Sequence, residues 1–142
     1  MYMGIDPGDS GGIAILDKDG NSVLVDKFKD KTEQEIRDLF VKHKVKVAYL
    51  EKVHSMPGQG VASSFKFGTS YGFLRGLLVA FNIKREFVTP QKWQKHLGCL
   101  TRGDKKVTRT KAQEMFPSVK ITHAVADALL IAHYCYLVEK DK

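Results

Sequence analysis

Four residues in this chain have the types and placement for chemistry: Asp6, Glu51, His123 and Asp127. Asp6 closes the apolar run Tyr2-Met3-Gly4-Ile5, and Glu51 closes Lys46-Val47-Ala48-Tyr49-Leu50, so each carboxylate ends a predicted strand. His123 and Asp127 are four residues apart on a predicted helix, which puts them on one face with Cβ atoms roughly 5–6 Å apart. If the two strands are parallel neighbours, their acids emerge side by side at the carboxyl edge of the sheet, where open α/β sheets place ligands. Carboxylates and one imidazole, with no thiolate, form a hard donor set suited to Mg²⁺, with Mn²⁺ able to substitute. Two such ions about 3.5–4 Å apart stabilise the attacking and leaving oxygens of an in-line phosphodiester displacement.

Each member also has a plainer reading. Asp6-Pro7-Gly8 is good hairpin-turn chemistry, a strand-end Glu is often solvated or ion-paired, and a His at a helix start can cap it. The run Gly4-Ile5-Asp6-Pro7-Gly8-Asp9-Ser10-Gly11-Gly12 nevertheless offers glycines that let a ligand approach the backbone; Asp9 reads as a turn residue. The acids occur together on a basic chain, and that combination favours a site.

The elements that must position these residues follow from pattern. Residues 2–7, 12–17 and 22–29 read as a three-stranded meander, with Lys18-Asp19-Gly20-Asn21 as the second turn. Thr32-Glu33-Gln34-Glu35 is a capping box opening a helix to about His43, and 46–51 is the next strand. Residues 52–63 read as a loop, 64–81 as a helix, and 85–89 as a strand. A short helix from Pro90 carries Trp93, residues 98–106 form a basic loop, and helices follow over 107–115 and 122–140. The order predicts one α/β domain over 1–142, a mixed five-stranded sheet with helices on both faces. Its first strand is central, because the crossover helix between residues 30 and 45 permits parallel pairing.

Composition narrows the partners. The 142 residues are 43% hydrophobic and 10% aromatic, enough for one proper core. A net charge of +7 makes nucleic acid the first candidate partner. Cys99 and Cys135 form no CxxC, so neither a disulfide framework nor a cysteine zinc site is indicated. No apolar run approaches a membrane span and no signal-peptide layout opens the chain, so the expected location is cytoplasmic, with no membrane partner.

The sequence resembles the RuvC-type Holliday-junction resolvases of the RNase H-like superfamily, in particular their short bacterial, phage and chloroplast branch. The stretches that match in order are GIDPGDSGG at 4–12, AYLEKV at 48–53, SYGFLRGLLVAF at 70–81 with VTPQKWQKHL at 88–97, and MFP at 115–117 followed by HAVADALLIAHY at 123–134. The resemblance implies a metal-dependent nuclease that cuts two strands of a four-way junction symmetrically, using two ions per site. Asp6, Glu51 and Asp127 take the positions of its acids. Longer bacterial members have an Asp where this chain has Ala124; the short branch instead has a His at position 123, a ligand or general base. A catalytic lysine before the penultimate helix maps best to Lys105, with Lys106 the near alternative; a role in phosphate contact alone is equally open.

Sequence-independent phosphate contacts are expected from Lys66, Arg75, Lys92, Lys95, Arg102, Lys106 and Arg109. Tyr71 and Gly72 match a Gly/aromatic stretch that lies at the junction centre in the short branch, whereas Thr69 and Ser70 depart from it. Phe65 and Phe67 read either as base-stacking groups or as core or dimer contacts, and no role is assigned to His54. Paired incisions imply a two-fold homodimer, with Phe73, Leu74, Leu77 and Leu78 as its face or else internal core. The competing readings are a sugar-kinase-like ATPase, which shares Gly-Ile-Asp-x-Gly but needs two such domains, a branched-DNA binding module without cleavage, and a nuclease acting on RNA/DNA hybrids or flaps. No nucleotide cofactor is expected.

Overall fold

The computed structural model describes residues 1–53 and 58–142; His54 and Pro57, in the predicted loop, lie outside the described residues. β1 (Tyr2–Asp6) sits mid-sheet, with β2 (Gly12–Leu16) antiparallel on one edge and β4 (Val47–Glu51) parallel on the other. β3 (Ser22–Lys27) and β5 (Lys84–Val88) complete the order β3-β2-β1-β4-β5. α1 (Glu33–Lys42), opened by the Thr32–Glu35 capping box, makes the crossover that lets β1 and β4 run parallel. In that register Ile5 pairs with Leu50, so Asp6 and Glu51 are each the next residue on, level at the same edge.

Strand alternation then decides which way the acids face. Met3, Ile5, Ala48 and Leu50 point into the core under α1 and α2 (Val61–Ala80). Tyr2, Val47 and Tyr49 point into the opposite core, under α3 (Pro90–Leu97), α4 (Lys106–Met115) and α5 (His123–Glu139). Asp6 and Glu51 share the parity of this second set and so open toward α3, α4 and α5.

α5 lies unusually close to the sheet. Ala124, Ala128 and Ala132 are spaced by four and form one small-residue ridge along it. A Cβ on Gly4 would overlap the Ala132 nitrogen and the Ala128 carbonyl; one on Gly12 would lie 2.7 Å from the Ala124 oxygen. The far end of α5 is pinned by Glu139, buried at 3% exposure, which accepts from the Tyr49 hydroxyl at 2.5 Å and the Lys84 ammonium at 2.7 Å.

One boundary differs from the sequence reading, and one reading left open there is decided by packing. α2 begins at Val61, inside the predicted loop, because the Gly60 carbonyl accepts from Ser64 and starts the helix. Leu74, Leu77 and Leu78 are buried against β1, β4 and α1 and Phe73 packs beside them, so this face is internal core and is not free for a second copy. The opposite face of α2 carries Gly68, Gly72 and Gly76, with nothing within 4 Å of an added Cβ.

Gly4→Ala should therefore cost about 3 kcal/mol or more, since neither backbone can retreat without opening the core. Gly68→Ala should be neutral or stabilising by about 0.5–1 kcal/mol, as expected for an open helix position. Thermal denaturation of the two variants checks the contrast; equal effects would contradict this packing.

Candidate active site

Asp6, Glu51, Asp127 and Lys105 converge at the carboxyl edge of β1 and β4. Asp6 is half-buried, and its carboxyl is held well above the usual range by burial, then by the charges of Glu51 and Asp127, with Lys105 opposing. Glu51 is buried, and its pKa is pushed up to about 7 by burial; the Trp93 indole opposes this and Asp127 adds to it. Burial also raises Asp127, against the Thr108 hydroxyl that bonds to it and the charges of Lys105 and His123. Three acids thus crowd one another with a single ammonium among them.

α3 and α4 supply the groups that orient these acids. Trp93 is fully buried, and its Nε1 donates to Glu51 Oε2 at 2.8 Å. A buried indole N–H needs an acceptor, so this bond satisfies the ring and fixes the carboxylate at once. Thr108, buried on the first turn of α4, sets its hydroxyl beside Asp127 and opposes the rise in that acid's pKa, while the hydroxyl also reaches the Lys105 carbonyl at 3.3 Å. Lys105 stands at the N-cap of α4, where its charge acts on both Asp6 and Asp127. Lys106 instead opens the helix, its N–H donating to Asp104 Oδ1 at 3.0 Å. Neither Trp93 nor Thr108 stands out as a site residue in the sequence: Trp93 is flanked by Lys92 and Gln94 and lies 42 residues from Glu51.

His123 is exposed at the rim, near enough for its charge to act on Asp127 but tied to Arg109, whose Nη1 is 3.3 Å from its Nε2. Among the described residues no three His, Cys, Asp or Glu side chains already stand in an ion-holding arrangement. The donor chemistry nonetheless fits a hard divalent cation: mutually repelling carboxylates, short of positive charge, are what Mg²⁺ or Mn²⁺ neutralises. Asp6, Glu51 and Asp127 would hold it.

The expected DNA contacts surround this edge unevenly. Lys92, Lys95, Arg102, Lys106 and Arg109 are exposed on α3, α4 and the intervening loop. Lys66 is exposed but pairs with Asp9 at 2.6 Å, which makes Asp9 a turn residue with a partner. Tyr71 is half-buried, stacked on Phe67 at 6.4 Å with its hydroxyl bonded to the Val53 backbone. Gly72 is bare, and Arg75 lies over the Tyr71 and Phe87 rings at 5.9 and 5.6 Å. Phe65 is 75% exposed, which removes the core reading for it, while Phe67 packs over Gly8. A cleft of about 720 Å³ lined by Lys52, Phe67, Thr89 and Gln91, among others, runs beside the end of β4.

No protein-family model matches the chain, and no curated protein is significantly similar to it in sequence. Solved structures are similar. Thermus thermophilus RuvC superposes with a TM-score of 0.72 at 14% identity, covering 98% of this chain and 95% of that one. The fold is RuvC-type RNase H-like. The same Thermus protein in complex with a Holliday junction substrate matches with a TM-score of 0.71 at 13% identity, over 94% of this chain and 92% of that one. The Fowlpox virus resolvase complexed with Holliday junction DNA matches less closely, with a TM-score of 0.54 at 15% identity over 93% and 95% of the two chains. Coverage near completeness on both sides means that the likeness extends over the whole fold and not one part of it.

The raised carboxyls set the pH dependence of the metal-free protein. Glu51 binds its proton more tightly folded than unfolded, so stability should fall as pH rises from an unfolded value of about 4.3 toward the folded value of about 7. Glu51→Gln should remove much of this slope, gaining on the order of 2 kcal/mol over wild type at pH 8 and nothing at pH 4. Melting curves in EDTA across that range check it; a wild type that gains stability with rising pH would contradict the crowding described.

Proposed function

We propose that this chain is a metal-dependent endonuclease that resolves four-way DNA junctions by phosphodiester hydrolysis. The observation that carries the reading is the convergence of Asp6, Glu51, Asp127 and Lys105 at one sheet edge of a RuvC-type fold, on a chain of net charge +7. The two neighbours solved with Holliday junction DNA support this choice of substrate.

Each residue then has a task. Asp6, Glu51 and Asp127 would hold two Mg²⁺ or Mn²⁺ ions, with Trp93 keeping Glu51 in its rotamer. Such ions would supply stabilisation of the attacking and leaving oxygens. Lys105 neutralises charge developing on the scissile phosphate. His123, at the rim, acts as a further ligand or as a base toward the attacking water. Lys92, Lys95, Arg102 and Lys106 grip flanking phosphates, so affinity falls steeply with salt. Two symmetric cuts need two sites related by a two-fold axis, hence a homodimer. With the leucine face of α2 buried, the bare glycine face is where a second copy can approach closely.

Asp6→Asn should abolish metal-dependent nicking of a labelled immobile four-way junction and leave junction binding within about threefold, because the basic surface carries affinity. Gel-shift and cleavage assays on the same DNA measure both. Parallel loss of binding would make Asp6 structural. Wild-type cleavage of an RNA/DNA hybrid in preference to the junction would replace the substrate assigned here.

A further inference from the structure

α4 and α5 meet beside the acid cluster through their opening turns. Lys105 on α4 acts on Asp127 of α5; one turn further along α4, Arg109 meets His123, one turn earlier on α5. The Arg109 Nη1 to His123 Nε2 distance is 3.3 Å. A guanidinium is always protonated and has no acceptor, so this bond runs from Arg109 to the imidazole. Nε2 is thereby an acceptor with its lone pair engaged, and the ring proton sits on Nδ1. That lone pair is the one a metal would need at Nε2.

Arg109 is also available for another partner. It is exposed, and among the described residues it forms no ion pair with a carboxylate. An unpaired guanidinium at the rim of an acid cluster presents a fork matched to the oxygens of a phosphodiester, and it binds these more strongly than a neutral imidazole nitrogen. The Trp93 tether on Glu51 differs: the indole is buried and neutral, so an incoming anion does not draw it off.

Resting on the nuclease reading above, we propose that Arg109 is a substrate-operated positioning residue. In the DNA-free chain it occupies Nε2 of His123, and a backbone phosphate entering the site draws the guanidinium away and releases that nitrogen. Ion binding and DNA binding then favour each other, and His123 joins the site only when there is a phosphate to act on. Reciprocity is required: whatever DNA does for the ion, the ion does for DNA.

Three readouts test this, two of them without catalysis. Histidine-selective ¹⁵N spectra in EDTA should show Nε2 of His123 without a proton, and addition of a four-way junction should shift that nitrogen in wild type but not in Arg109→Ala. Calorimetric Mn²⁺ titration of the DNA-free protein should give about three- to tenfold tighter binding for Arg109→Ala, the worth of one released hydrogen bond. In a His123→Ala background the same substitution should change Mn²⁺ affinity little, which separates a local effect from a general loss of positive charge. A protonated Nε2 in wild type, an unchanged or weaker Mn²⁺ affinity in Arg109→Ala, or an equal gain in the His123→Ala background would each overturn the proposal. Junction cleavage by wild type without these shifts would sink the role of Arg109 and keep the nuclease; the shifts without cleavage would do the reverse.

Discussion

The close approach of α5 to the sheet is the constraint on which the rest of the structure depends. Gly4 and Gly12 leave no room for a side chain, and the alanine ridge at 124, 128 and 132 fills the space with backbone and methyl groups. That contact fixes α5 in height and rotation, and so places Asp127 over the strand ends that carry Asp6 and Glu51. A larger residue on either partner would lift the helix and move its acid away from the others. The far-end anchor of Glu139 to Tyr49 and Lys84 holds the same helix against tilting.

An electrostatic tension follows from that placement. Acids driven together and partly out of water are each harder to ionise, and one lysine does not offset three carboxylates. Two cores, one on each face of the sheet, offset this cost. Trp93 holds Glu51 in place rather than neutralising it. A divalent cation would supply the positive charge that Lys105 alone does not.

Much of this was legible in the sequence, for reasons that can be named. Asp6 and Glu51 end apolar runs, and a helical crossover between those runs dictates parallel pairing, so their adjacency followed from local pattern. His123 and Asp127 share a face by spacing alone. What pattern could not reach was contact across the fold: the bonds from Trp93 to Glu51 and from Arg109 to His123, and the placing of Thr108 beside Asp127. The inner face of α2 was equally hidden, because apolar residues surround that helix; Val61 and Phe65 are 89% and 75% exposed while Leu78 is fully buried. Periodicity fails where a helix is apolar on both sides, and only packing shows which side the core takes.

The central claim is that Asp6, Glu51 and Asp127 form one metal centre at the sheet edge. Anomalous diffraction from crystals grown with Mn²⁺ tests it directly. The account predicts manganese peaks between these three carboxylates, lost in Asp6→Asn. Manganese bound elsewhere on the chain, or undiminished peaks in that variant, would contradict it.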